Sequence, residues 1–140
     1  MTDFVIDANV LMSILISGKA GYRPILSFNT FILPDFALVE IEKYNTTLKT
    51  KTVMSALQLV EWTYFVFSEL TIFPRYVVDE YHITTSARLL EKIDMKDLHY
   101  LALAMQLGLP LLTRDTPLYQ GLRKQGFKNV IMFDDFLRAL

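Results

Sequence analysis

Short apolar runs and amphipathic stretches alternate along the chain in an order that predicts strands followed by helices. Phe4-Val5-Ile6 is an apolar run that stops at Asp7, as a buried strand would. Val10 to Ile16 then has helical character, with Asn9 as a plausible cap and Gly18 near the stop. Phe31-Ile32-Leu33 is a second strand, halted by Pro34, and Asp35 opens a helix through Phe36, Leu38, Val39 and Ile41. Apolar positions at Val53, Ala56, Leu57 and Val60 predict one long helix from Thr50 to Leu70. Thr71-Ile72-Phe73 is a short strand, and Val77 to Ile93 is helical despite the unfavourable Ile83-Thr84-Thr85. Leu98 to Leu107 is strongly apolar and helical, closed by Gly108 and Pro110. The strand Leu111-Leu112-Thr113, a helix from Leu118 to Gln125 ended by Gly126, the strand Val130 to Phe133 and a short helix capped by Asp134 complete the chain.

Strands alternating with helices predict a three-layer α/β/α fold around a mainly parallel, roughly five-stranded sheet. In such a sheet, chemistry collects at the carboxyl ends of the strands where the strand order reverses. Asp7 and Asp115 both end apolar strands there. Two carboxylates brought together repel unless a cation separates them. Glu40 interrupts the apolar set of its helix, which points to partial burial, whereas Glu42 and Lys43 read as solvent-facing charges. Asp94 and Asp97 precede the apolar helix in the manner of a capping box, with Ile93 and Leu98 as a hydrophobic staple. That role is compatible with a functional one for Asp97, because a carboxylate in a first turn can face a metal while the helix dipole favours its charge.

Composition narrows the choices. The 140 residues suit one domain, 1–140, and 52% hydrophobic content supplies a core, so disorder is excluded. With no cysteine, disulfides and thiolate metal sites are ruled out, and a metal would have to be held by oxygen or histidine. There is no membrane-length apolar segment, and acids rather than bases precede the first apolar run, against the order of a signal peptide. A cytoplasmic protein is expected. The net charge of −1 does not advertise a nucleic-acid binder, but acids gathered at a metal would mask a basic rim.

Val5-Ile6-Asp7-Ala8-Asn9, the stretch Ile93-Asp94-Met95-Lys96-Asp97-Leu98-His99-Tyr100-Leu101-Ala102-Leu103-Ala104, Gly108 and Leu112-Thr113-Arg114-Asp115 together resemble the PIN-domain ribonucleases, including toxins of the VapC type. The order, spacing and context agree over essentially the whole chain. The resemblance implies Mg2+- or Mn2+-dependent cleavage of single-stranded RNA. It also implies that Asp7, Glu40, Asp97 and Asp115 are metal-binding acids, with Asp94 as an additional ligand. Asn9 and Thr113 are implied to orient the carboxylates by hydrogen bonds. An antitoxin protein is an implied partner of the toxin version, and a homodimer is expected.

The remaining polar and aromatic residues have plainer readings. His99 follows Asp97 by two positions, about 200° round a helix, so the two do not share a face; neither it nor His82 is assigned to catalysis. Trp62, Tyr64, Phe65 and Phe67 cannot all face one way, and any exposed ring among them favours a protein partner. Lys49, Lys51, Arg114, Arg123, Lys124 and Lys128 are candidate phosphate contacts whose default is a solvated surface. A non-catalytic metal- or nucleic-acid-binding scaffold is the alternative function. A receiver-like signalling domain fits less well, because Asp7 is followed by Ala8 and Asn9 and no lysine follows the last strand.

Overall fold

The computed structural model describes residues 2–140. Five strands, β1 (Asp3–Ile6), β2 (Thr30–Pro34), β3 (Leu70–Phe73), β4 (Leu111–Thr113) and β5 (Val130–Met132), form one sheet in the order β3-β2-β1-β4-β5. Every pairing is parallel. The three central strands are almost wholly buried, which is why they read as continuous apolar runs rather than alternating ones. Because parallel crossovers are right-handed, the chain must place the helices between β1 and β3 on one face of the sheet and those after β3 on the other. The first group is α1 (Ala8–Ser17), α2 (Tyr22–Phe28), α3 (Phe36–Lys43), α4 (Asn45–Lys51) and α5 (Ala56–Glu69). The second is α6 (Glu80–Leu90), α7 (Leu98–Leu107) and α8 (Thr116–Lys124). A last helix, α9 (Phe133–Arg138), follows β5 directly, so Phe133 starts a helix instead of ending a strand. Among the described residues, no helix is long and apolar enough to cross a membrane.

The strand order reverses between β1 and β4, whose register pairs Val5 with Leu111 and Ile6 with Leu112. One step further, Asp7 and Thr113 fall side by side at the carboxyl edge. The helix that follows, α1, buries Val10, Leu11, Ile14 and Leu15 and ends at Gly18, whose positive φ of 61° suits glycine. Its cap is Asp7, not Asn9: the Asp7 carboxylate accepts from the Ala8 N–H, and Asn9 lies inside the helix. On the opposite face α7 matches the predicted boundaries and buries Tyr100, Leu101, Ala102, Leu103 and Ala104.

The long helix expected from Thr50 to Leu70 is two helices and a strand. The chain leaves the helical conformation at Thr52, whose hydroxyl donates to Ile16 O at 3.0 Å. Ser55 and Gln58 then form a reciprocal capping box that starts α5. The apolar positions that suggested the long helix do not form its buried face. Val53, Leu57 and Val60 are 95%, 69% and 66% exposed, and Trp62 and Val66 are the residues turned inward. Trp62 donates its indole N–H to Ile14 O at 2.8 Å and so ties α5 to α1. α2 is a helix that apolar patterning did not show; Pro24 is tolerated in its first turn, where N–H groups lack intrahelical partners. Asp134 sits within the first turn of α9 and does not cap it.

Candidate metal centre

Asp7, Glu40, Asp97 and Asp115 line one cavity of about 700 Å³ at the carboxyl end of the sheet. Four different elements deliver them. Asp7 ends β1, Glu40 projects from the middle of α3, Asp97 stands at the start of α7, and Asp115 caps α8 after β4. Asp7 and Asp97 are only 4% and 3% exposed. Glu40 and Asp115 are half-buried and complete the wall towards solvent.

Burial pushes the Asp97 carboxyl up to about 8, and the charges of Asp7 and Asp115 push in the same direction. Burial likewise raises Asp7 to about 6, although the Thr113 hydroxyl and the Ala8 N–H partly offset it and Glu40 and Asp115 add to it. Asp97 Oδ2 is buried without a hydrogen-bond partner. Two carboxylates this deeply placed, one with an orphaned oxygen, are costly as a protein feature alone. They fit an oxygen-loving divalent cation, which would supply the missing positive charge. Among the described residues, no three Asp, Glu or His side chains stand close enough together to hold an ion by themselves, so the acids form an open wall and not a closed cage. Magnesium accommodates such a wall, since it typically takes one or two carboxylates and keeps waters.

Thr113 is completely buried behind the acids. Its Oγ1 donates to Asp7 Oδ2 at 2.9 Å and accepts from the Asp115 N–H at 3.0 Å. It therefore sets the orientation of one acid and the backbone of another. Asn9 lines the cavity but acts differently from expectation: its Oδ1 accepts from the Arg114 N–H at 3.1 Å, fastening α1 to the end of β4 without a hydrogen bond to an acid. Asp94 does not line the cavity. It caps the turn before α7 by accepting from the Lys96 N–H at 3.0 Å, and its carboxylate lies 3.7 Å from Lys96 Nζ.

Three features have no counterpart in the sequence patterns. Tyr100, three residues beyond Asp97, donates its buried hydroxyl to Glu40 Oε1. Lys96 Nζ stands 3.9 Å from Asp115 Oδ2, and Lys19 joins Lys51, Lys96 and Arg114 on the cavity wall. Arg114 is held by Ser13, to whose hydroxyl it donates, and by Asp134 at 4.0 Å. Of the other expected phosphate contacts, Lys49, Arg123, Lys124 and Lys128 lie off the cavity. Neither histidine lines it. His99 packs on the Phe36 ring at 4.7 Å, where burial lowers its pKa, and His82 pairs with Asp79 at 2.6 Å.

The all-parallel sheet in this order, with helices on both faces, brings acids from the ends of β1 and β4 and from α3 and α7 to one groove. The chain belongs to the PIN-domain family, whose model matches residues 5–132. Among solved structures it is similar in fold to the crystal structure of VapBC2 from Rickettsia felis bound to a DNA fragment from their promoter. That likeness has a TM-score of 0.62 and 14% identity, and covers 93% of this chain and 96% of the other. No curated protein matches the chain.

Proposed function

We propose that this protein is a divalent-metal-dependent endoribonuclease whose centre is built from Asp7, Glu40, Asp97 and Asp115. The observation that carries the reading is the pair of buried, charge-stressed carboxylates, Asp7 and Asp97, opening onto a groove rimmed by cations. The four acids would hold Mg2+ or Mn2+. When bound, such an ion supplies an activated water and neutralises charge developing on the scissile phosphate. Around it, the chain's own residues bind and orient. Lys19, Lys51 and Arg114 offer positive charge to a polyanionic strand, with Arg114 preset by Ser13 and Asn9. Tyr22 and Tyr44, on the same wall, provide rings on which unpaired bases can stack. Thr113 keeps Asp7 aimed at the groove. RNA as the substrate class comes from the family resemblance, while the groove itself calls for a phosphodiester.

The same resemblance, with the likeness of fold to VapBC2, supports a toxin held by an antitoxin. A specific surface favours a protein partner: Val53, Leu57, Val60 and Tyr64 form an exposed apolar stripe along α5 and the turn before it.

The test is cleavage of a panel of single-stranded and structured RNAs by purified protein with Mg2+, with Mn2+ and with excess chelator. Metal-dependent cutting is expected. Cutting that survives the chelator would overturn the metal reading, and a folded protein that cuts nothing with either ion would leave the binding scaffold as the function. Thr113→Val keeps side-chain volume but strands Asp7 Oδ2 and the Asp115 N–H. It is expected to reduce cleavage by roughly 10–100-fold and stability by about 1–3 kcal/mol, read by single-turnover kinetics and thermal unfolding.

A further inference from the structure

Glu40 is the acid with the weakest local reason to hold still. It is half-buried, projects from α3 on a long side chain, and receives no backbone N–H of the kind that fixes Asp7 and Asp115. Left alone, a glutamate at the mouth of a wet groove samples many rotamers, and each one lost on binding a ligand costs affinity. The structure supplies a constraint from across the site. Tyr100 lies on α7, where residues three apart share a face, so the helix that begins at Asp97 carries a phenol pointing the same way. The ring is 1% exposed and packs edge-on against Phe36 at 6.4 Å. Its hydroxyl donates to Glu40 Oε1 over a sequence separation of 60 residues. An ionised carboxylate can only accept, so the phenol is the donor of this bond. Of the two carboxylate oxygens, one is thereby committed to protein and one is left over.

We propose that Tyr100 is a positioning residue for the metal centre: its hydroxyl fixes Oε1 of Glu40 so that Oε2 is presented to the cation as a single-oxygen ligand. The assignment rests on the metal reading of the four acids. It explains why an otherwise apolar, buried stretch of α7 contains a tyrosine, where a phenylalanine would fill the same space without a polar atom to satisfy. It also makes α7 the common support of two acids, Asp97 by its own backbone and Glu40 by hydrogen bond. The distance between those acids is then set by one rigid element.

The test is calorimetric titration of metal-free protein with Mn2+, without RNA, for wild type, Tyr100→Phe, Glu40→Ala and the double variant. Tyr100→Phe should weaken Mn2+ binding about 10-fold or more, the usual effect of removing a group that orients a metal ligand. In the Glu40→Ala background the same change should do nothing further, because Tyr100 acts through Glu40. An equal loss in both backgrounds would mean that the ring acts through packing, and would overturn the assignment. Wild-type affinity in Tyr100→Phe would overturn it too, leaving the metal reading intact. A wild-type chain that binds no Mn2+ would overturn both together. Should Tyr100→Phe fail to fold, Glu40→Asp serves instead. It keeps the charge but is one methylene too short to reach the phenol, so it should show the same loss, and wild-type affinity there would reject the proposal.

Discussion

Asp97→Asn is expected to lower RNA cleavage by on the order of 10³-fold or more while raising the melting temperature of the metal-free protein at pH 8. The two effects have one origin. Asp97 is buried, its Oδ2 has no partner, and Asp7 and Asp115 both oppose its charge. Asparagine has nearly the same shape and no charge. The substitution therefore relieves a desolvation penalty without breaking any hydrogen bond that Asp97 makes to the protein. What it removes is the reason to tolerate the penalty, an anionic oxygen facing a cation. A residue kept for packing would lose stability on substitution, whereas one kept for chemistry gains it. Asp7→Asn should lose turnover as severely but gain less stability, since Thr113 then donates to a neutral acceptor. Single-turnover cleavage and thermal unfolding of the same samples decide the matter. Full activity in Asp97→Asn would remove the residue from the centre.

Without metal, the wild-type chain should become less stable as pH rises from about 4 to 8. The acidities of Asp7 and Asp97 are weakened on folding, from 3.8 to about 6 and about 8. Across that interval the folded state holds protons that the unfolded state has released. Stability is therefore complete below the unfolded value and declines as pH climbs, with the Asp7 contribution spent near 6 and the Asp97 contribution near 8. A tenfold weakening of an acid on folding corresponds to about 1.4 kcal/mol, so two carboxyls raised this far make a loss of several kcal/mol, and a fall of more than roughly 10 °C in melting temperature, the expected result. Saturating Mn2+ or Mg2+ at pH 8 should restore most of it, because an ion that binds only the folded state stabilises it by mass action. Melts at pH 5, 6.5 and 8, with chelator and with metal, provide the check. A flat profile in chelator would show that the two carboxyls find compensation within the protein.

Much of this centre is legible in the amino-acid sequence. A strand buried on both faces is an uninterrupted apolar run, so an acid at its carboxyl end stands out, as Asp7 and Asp115 do. α7 is equally plain, because it is apolar over most of its length and stops at a glycine in the left-handed region, Gly108. α5 is harder for a physical reason. Periodicity shows which residues share a helix face but not which face turns inward, and Val53, Leu57 and Val60 match a helical repeat as well as Trp62 and Val66 do. The break before α5 is signalled by Ser55 and Gln58, a local cue hidden within an apolar repeat that runs through it. Tyr100 has no local signal at all. A tyrosine in an apolar helix reads as core, and its hydroxyl partner lies in a helix far away in sequence. Asp94 and Asp97 illustrate the limit from the other side. Spacing places both at a helix start, and only the direction of each side chain separates the cap from the acid in the groove.

The strand pair that carries the centre also dictates when the centre can exist. β1 and β4 are neighbours in the sheet, yet Asp7 is synthesised more than a hundred residues before Asp115. No nascent fragment that stops short of β4 can assemble the groove, however well α1 and α2 have formed. Closure of that central pairing is a long-range event that comes late and slowly in folding. During synthesis the acids of the growing chain thus stay apart, and the groove they line is complete only once β4 and the turn into α8 have emerged.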